Sequence, residues 1–222
     1  MLEIDLIGNK HNSVSRDYLA RVNDPEFPKY KAAELAKKWD FEYWDGDRRI
    51  CYGGYHYREG YWTPIARKII EIYSLTAESK VLEIGCGKGF LLYEIMNLIP
   101  GIQVQGLDIS QYAIDHAHPS IKQFLTKGSA ESLPYDNLEF DLAFSLNTFH
   151  NLYCSQLFLA LKEIMRVSTG SYICVESYRS EIEKQNLLYW QVTCEAFLTP
   201  EEWRWWFALT GYNRDYGFIY FN

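Results

Sequence analysis

Val81-Leu82-Glu83-Ile84-Gly85-Cys86-Gly87-Lys88-Gly89-Phe90 is the stretch on which the fold turns. Val81 to Ile84 is a short β-prone run that carries a carboxylate, Glu83, into a turn of three alternating glycines. Leu91-Leu92-Tyr93-Glu94-Ile95-Met96 then follows as a helix-like segment. Glycine lets the turn pass close to a ligand with no Cβ in the way, and the start of the helix offers unpaired N–H groups. Strand, glycine turn and helix in this order make a platform for a nucleotide-containing ligand.

The flanking sequence repeats the alternation. Upstream, Ile65, Ala66, Ile69, Ile70 and Ile72 fall close to one helical face within Thr63–Leu75, with Pro64 in the first turn. Downstream, Gln103–Asp108 reads as a second strand ending in acid, Ser110–Ala117 as a helix stopped near Pro119, and Gln123–Leu125 as a third strand. Phe140–Ser145 is a fourth strand, Leu157–Val167 an amphipathic helix, Tyr172–Glu176 a fifth strand, Pro200–Leu209 a helix and Phe218–Phe221 a terminal strand. Such alternation predicts an α/β fold with a mostly parallel sheet, helices on both faces and an antiparallel addition at the terminus. Ligands in such sheets lie across the carboxyl ends of the strands.

At 222 residues and 48% hydrophobic, the chain holds enough apolar material for one domain with an N-terminal elaboration. Residues 1–62 form that elaboration. Ala32–Lys38 reads as a helix, and Trp39–Trp62 mixes aromatics, glycines and charges as a cap or lid would. Residues 63–222 form the main domain, with a second substrate-covering insertion near 179–198. A net charge of −7 argues against nucleic acid or an anionic membrane as partner. No terminal segment pairs a charged leader with a long apolar run, so a soluble, cytoplasmic protein is expected. The five cysteines are scattered without metal-ligand spacing, so neither zinc nor a disulfide framework is expected. The 18 tyrosines and seven tryptophans supply walls for a pocket, and equally for a core or an oligomer contact.

Glycine spacing narrows the ligand. A dinucleotide turn reads Gly-x-Gly-x-x-Gly, whereas Phe90 stands where its third glycine would be, and the lysine-serine/threonine pair of an ATP-type loop is absent. Glu83 suits a ligand ammonium better than a pyrophosphate. In these features the sequence resembles the seven-strand class I S-adenosylmethionine-dependent methyltransferase family. Glu83, Gly85, Gly87 and Gly89 match its first motif and Asp108 its acidic second-strand terminus. Gly128-Ser129-Ala130-Glu131-Ser132-Leu133-Pro134 matches its adenine-side segment, and Phe140–Ser145 its fourth strand. The likeness runs over roughly residues 62–222.

The resemblance implies a seven-stranded Rossmann-like sheet, S-adenosylmethionine as cofactor and S-adenosylhomocysteine as product, with no metal required. It implies that Asp108 accepts hydrogen bonds from the ribose hydroxyls and that Glu83 meets the amino end. Ile109, Ser129, Ala130 and Ser145 are the further cofactor contacts, with Tyr57 and Trp62 closing over the methionine end. Family members often carry an acid where Ser129 stands, and serine lacks its full charge. Asp141 is a candidate organiser of the fourth strand. His150, after that strand, and His56, in the glycine-jointed lid, are the candidate general bases, since histidine ordinarily titrates near neutrality. Tyr55, Tyr61, Glu176, Tyr178 and Arg179 are the candidate acceptor contacts. The leading expectation is methyl transfer to oxygen or nitrogen of a cytosolic small molecule. The alternatives are a protein methyltransferase and a non-catalytic cofactor-binding regulator. A homo-oligomer is open.

Overall fold

A computed structural model describes residues 1–7 and 16–222. The cap opens with α1 (Tyr18–Val22), whose first turn is closed by the Asp17 carboxylate accepting from Ala20 N–H. Next come α2 (Lys29–Ala36), entered through Pro28, and α3 (Phe41–Trp44), capped by Asp40. The chain then runs through α4 (Thr63–Ile72), β1 (Lys80–Ile84), α5 (Phe90–Leu98), β2 (Gln103–Asp108), α6 (Gln111–Asp115), α7 (Pro119–Lys122) and β3 (Leu125–Lys127). It continues with β4 (Phe140–Leu146), a 3₁₀ turn at Phe149–Asn151, α8 (Cys154–Val167), β5 (Ser168–Glu176), α9 (Glu181–Trp190), α10 (Pro200–Thr210) and β6 (Asp215–Ile219). The limits of α10 are written in its sequence. Thr199 and Glu202 form a reciprocal capping box, Pro200 fills the first turn, and Gly211 ends the helix in the left-handed conformation at φ 78°.

The sheet order is β3-β2-β1-β4-β5-β6, and every pairing between these strands is parallel. Side chains alternate across it. Val81, Leu142, Phe144 and Cys174 face α4 and α5 on one side, while Leu82, Ala143, Ile173 and Val175 face α8 and α10 on the other. Because β1 and β4 are adjacent but lead in opposite directions across the sheet, a crevice opens at their carboxyl ends, where such sheets bind ligands.

Two expectations are corrected. Among the described residues six strands form the sheet, not seven, and the terminal strand is parallel, with Tyr172 opposite Asp215 and Glu176 opposite Ile219. The crossover through α9 and α10 returns the chain to the amino end of the sheet before β6 begins, so β6 runs in the direction of its neighbour. The outer side of β6 meets the chain's own beginning. Ile4 N–H donates to Tyr216 O at 2.7 Å and Tyr216 N–H to Leu2 O at 3.0 Å, around a parallel bridge between Glu3 and Tyr216. The described residues contain no helix long and apolar enough to cross a membrane.

Candidate active site

The glycine turn is tied to the second strand by its backbone. Gly85 and Cys86 N–H both donate to Leu107 O, at 2.7 and 3.2 Å. Gly85 sits at φ 78°, and a Cβ there would fall 2.0 Å from Thr148 Oγ1, so the position demands glycine. Asp108, at the tip of β2, accepts Gly87 N–H on Oδ2 at 2.7 Å and Ser110 N–H on Oδ1 at 2.8 Å. Burial pushes its carboxyl up and these two bonds pull it back. Each oxygen keeps acceptor capacity for a ligand hydroxyl.

Glu83, at the end of β1, is 5% exposed and its Oε2 has no hydrogen-bond partner. Burial, then the neighbouring Asp108 charge, hold its carboxyl well above the ordinary range. A buried carboxylate oxygen left unanswered is costly, and a ligand ammonium would satisfy it. These donor and acceptor groups fit S-adenosylmethionine: Glu83 for the amino group, Asp108 for the ribose, and the glycine turn for close approach.

The cap is fastened onto this turn. Lys88 Nζ meets Asp45 at 2.7 Å with side chains 3% and 15% exposed, and Asp45 also accepts from Tyr112 Oη and Tyr55 N–H, each at 2.9 Å. Trp44 donates from Nε1 to Ser110 Oγ at 2.9 Å and lays its ring against the turn, where a Cβ at Gly87 would come within 2.8 Å of Cη2. Tyr52 stacks on Trp44 with ring centroids 5.5 Å apart. The result is a cavity of about 310 Å³ between strand tips and cap. A second chamber of about 330 Å³ adjoins it, with Ile7, Tyr52, Tyr55, Trp62 and Asn147 lining both.

Into the inner cavity the structure brings Glu83, Gly85, Gly87, Asp108, Ile109, Ser129 and Ala130, and from the cap Tyr55 and Trp62. His56 and Tyr61 line the outer chamber, together with Tyr55 and Trp62. The remaining candidates lie elsewhere. Gly89, at φ 71°, caps α5 with its back to Ile121 and Leu125. Ser145 is fully buried and donates to Ile84 O at 2.8 Å, joining β4 to β1. Tyr57 donates to Glu94 and packs on Phe90 and Tyr93, on the outer side of α5. Asp141 accepts Lys80 N–H at 2.8 Å, at the opposite end of the strands.

His150 is 2% exposed and lines neither chamber. Its Nδ1 accepts Glu176 N–H at 3.3 Å and its Nε2 lies 3.4 Å from Glu176 Oε2. Burial pushes the Glu176 carboxyl up to about 8, while Gln191, which donates to it, and the Arg16 charge act the other way. Tyr178 is buried beside Lys184, and Arg179 is paired with Glu183 over the Tyr220 ring. Of the other histidines, His116 stacks on Tyr112 and His118 on Tyr93, and His11 lies outside the described residues.

Several lining residues escaped the sequence reading. Glu131 places a carboxylate on the adenine-side wall, held by Gln156 Nε2 at 2.8 Å and by Ser129 Oγ at 3.1 Å, two positions beyond where family members carry theirs. Asn147 sits just past β4 at φ 58°, its Oδ1 buried without a partner. An asparagine directly after a strand is a signal for that left-handed turn. Trp39, Tyr43 and Trp44 line the cavity from the segment that the sequence marks as a cap or lid without singling these three out.

A family profile described as methyltransferase domain matches residues 75–211. Malonyl-acyl-carrier protein O-methyltransferase of Legionella pneumophila is 29% identical over 99 residues, 43% of this chain and 34% of that protein. The match therefore spans about a third of the curated relative. A chain from the complex of the Haloferax volcanii Trm112 methyltransferase activator superposes with TM-score 0.55 at 20% identity, over 90% of this chain and 77% of the other. The YcgJ protein of Bacillus subtilis does so with TM-score 0.52 at 21% identity, over 65% and 66%. The two structures share the fold, and the profile spans more than half of the chain: it belongs to the class I S-adenosylmethionine-dependent methyltransferase family.

Proposed function

We propose that this protein transfers a methyl group from S-adenosylmethionine to an oxygen or nitrogen of a small molecule in the cytoplasm. The observation that carries this reading is the buried, unpartnered Glu83 carboxylate beside Asp108, inside a cavity roofed by aromatic side chains. When bound there, S-adenosylmethionine supplies an electrophilic methyl carbon on a sulfonium that leaves as a neutral thioether. Glu83 would bind and orient the amino end, and Asp108 the ribose. Ile109, Ser129, Ala130 and Glu131 would border the base.

The cap residues Trp44, Tyr55 and Trp62 exclude water, which otherwise competes with the acceptor. His56, in the outer chamber, is the group positioned to take a proton from an acceptor there. His150 acts in this reading as a positioning residue, fixing the end of β5 through Glu176. The relative's name describes O-methylation of an acyl group on a carrier protein, which adds weight to oxygen as the receiving atom.

Calorimetry with S-adenosylhomocysteine tests the platform, and a methyl-labelled cofactor supplied with fractionated metabolites and proteins tests transfer. Labelled small molecules are expected. Label confined to proteins would replace the acceptor class, and cofactor binding with no transfer to either pool would favour a regulatory binder.

A further inference from the structure

The two chambers divide their charge. The inner cavity carries the acids Glu83, Asp108 and Glu131, with Lys37 already paired to Glu195. Every charged or titratable side chain on the outer chamber except its tyrosines is basic: Arg48, His56 and Arg58. Arg48 donates to Cys51 O and lies 5.7 Å over the Trp190 ring, and Arg58 lies 5.9 Å over the Tyr61 ring. Among the described residues no carboxylate pairs with either guanidinium. Residues 8–15 contain no Asp or Glu that could do so. In a chain of net charge −7, two arginines without carboxylate partners at the mouth of a cavity are a local reversal of sign. Guanidinium groups in such a place bind carboxylate or phosphate oxygens with charge-assisted bonds.

The walls between these arginines and the cofactor platform are apolar: Ile7, Tyr52, Tyr55, Tyr61, Trp62 and Ile65. At the junction stands Asn147, which lines both chambers and holds its Oδ1 buried without a partner. That oxygen asks for a hydrogen-bond donor from whatever enters.

We infer that the methyl acceptor is an anionic molecule with an apolar body. Arg48 and Arg58 hold its carboxylate or phosphate at the mouth, the aromatic walls cover its body, and Asn147 Oδ1 accepts a hydrogen bond from its inner end. This assignment rests on the methyltransferase reading of the inner cavity, because it makes the outer chamber the acceptor's seat.

The test is binding to the full chain saturated with S-adenosylhomocysteine, followed by ligand-observed NMR and calorimetry. Three matched probe sets are used: aryl-propionates, aryl-ethyl phosphates and the corresponding aryl-propionamides, each with and without a para-hydroxyl. The anions are expected to bind about tenfold or more tighter than the amides, as charge-assisted bonds do over neutral ones. Whichever anion leads identifies the headgroup. In R58Q, whose side chain holds no hydrogen bond that the fold needs, the preference falls several-fold. In the double variant R48Q/R58Q it vanishes, with S-adenosylhomocysteine affinity retained. N147A removes the advantage of the hydroxyl-bearing probes and leaves the anion preference in place. Equal binding of anions and amides, or a preference that survives in R48Q/R58Q, overturns the inference while the cofactor site stands. Failure to bind S-adenosylhomocysteine overturns the functional reading itself.

Discussion

At the residue scale, Glu83 and Glu176 are both buried carboxyls with raised pKa values, yet they act on different equilibria. Glu83 Oε2 awaits a partner, so a cationic ligand favours its ionised form, and binding should release a proton. The enthalpy of S-adenosylhomocysteine binding is expected to depend on the ionisation heat of the buffer, and affinity to rise with pH toward the raised pKa. In Glu83→Gln the buffer dependence disappears and affinity falls about 10- to 100-fold, in line with ~1.5–3 kcal/mol for a hydrogen bond to a charged group. A buffer-independent enthalpy in the wild type would remove Glu83 from the site. Glu176 lines neither chamber, so its titration is expected to read out in stability. Its folded pKa, about 8, lies above its ordinary 4.5, so the folded state binds the proton more tightly. Its contribution is fully present below the ordinary value and is lost as pH rises toward about 8, at no more than ~1.4 kcal/mol per pH unit. Chemical denaturation of Glu176→Gln between mildly acidic and mildly alkaline pH should show a shallower decline than the wild type. Parallel curves would mean that another group carries the effect.

At the element scale, the cap is held to the glycine turn chiefly by Lys88 and Asp45, and the two ends are not equivalent. Lys88 is the more buried, and its ammonium has Asp45 as its ion-pair partner, whereas Asp45 also accepts from Tyr112 and Tyr55. Asp45→Asn strands a buried cation and is expected to cost about 3–5 kcal/mol. Lys88→Met leaves Asp45 its two other donors and should cost clearly less. Urea midpoints of the two variants check the order; equal losses would show that the two ends are equivalent, and negligible ones that the pair merely decorates the cap. This joint was not legible in the sequence, because Lys88 stands inside the glycine motif and Asp45 far upstream, with nothing local to link them. What was legible has local causes. Helix α10 carries its own caps, β1 and β2 their hydrophobic runs, and Glu83 and Asp108 stand at strand ends, where the topology aims side chains at a ligand. The short helices α3 and α7 carry local start signals in Asp40 and Pro119 but are too brief to leave a periodic trace, and the direction of β6 follows from the path of a crossover, which leaves none. The same holds for Glu176, Tyr178 and Arg179, which stand near the strand tip in sequence but meet protein side chains instead: Glu176 the buried His150, Tyr178 the Lys184 ammonium, and the exposed Arg179 its neighbour Glu183.

At the scale of the whole molecule, the first seven residues tie the far edge of the sheet to the active-site wall. Leu2 and Ile4 occupy the free side of β6, and Ile4 O accepts the hydroxyl of the fully buried Tyr172 at 2.8 Å. Leu6 and Ile7 then bury their side chains, and Ile7 lines both chambers. A single short segment therefore covers a sheet edge, satisfies a core hydroxyl and forms part of the proposed acceptor seat. Deleting residues 1–7 would leave the Tyr172 hydroxyl without its acceptor, at about 1–3 kcal/mol, and forfeit the burial of Leu6 and Ile7, worth ~1.5–3 kcal/mol each. It would also open the β6 edge to pairing with other chains. The shortened protein is expected to melt well below the intact chain and to scatter light at concentrations where the intact chain does not. The substitution Ile7→Ala separates the two roles, because it keeps the edge pairing and removes only wall. It should lower affinity for apolar-bodied acceptor probes, cost about 2 kcal/mol or more of stability as a buried Ile→Ala change does, and bring no new aggregation. If the shortened chain melts where the intact one does, the segment rests on the sheet without supporting it, and β6 must be protected by other means.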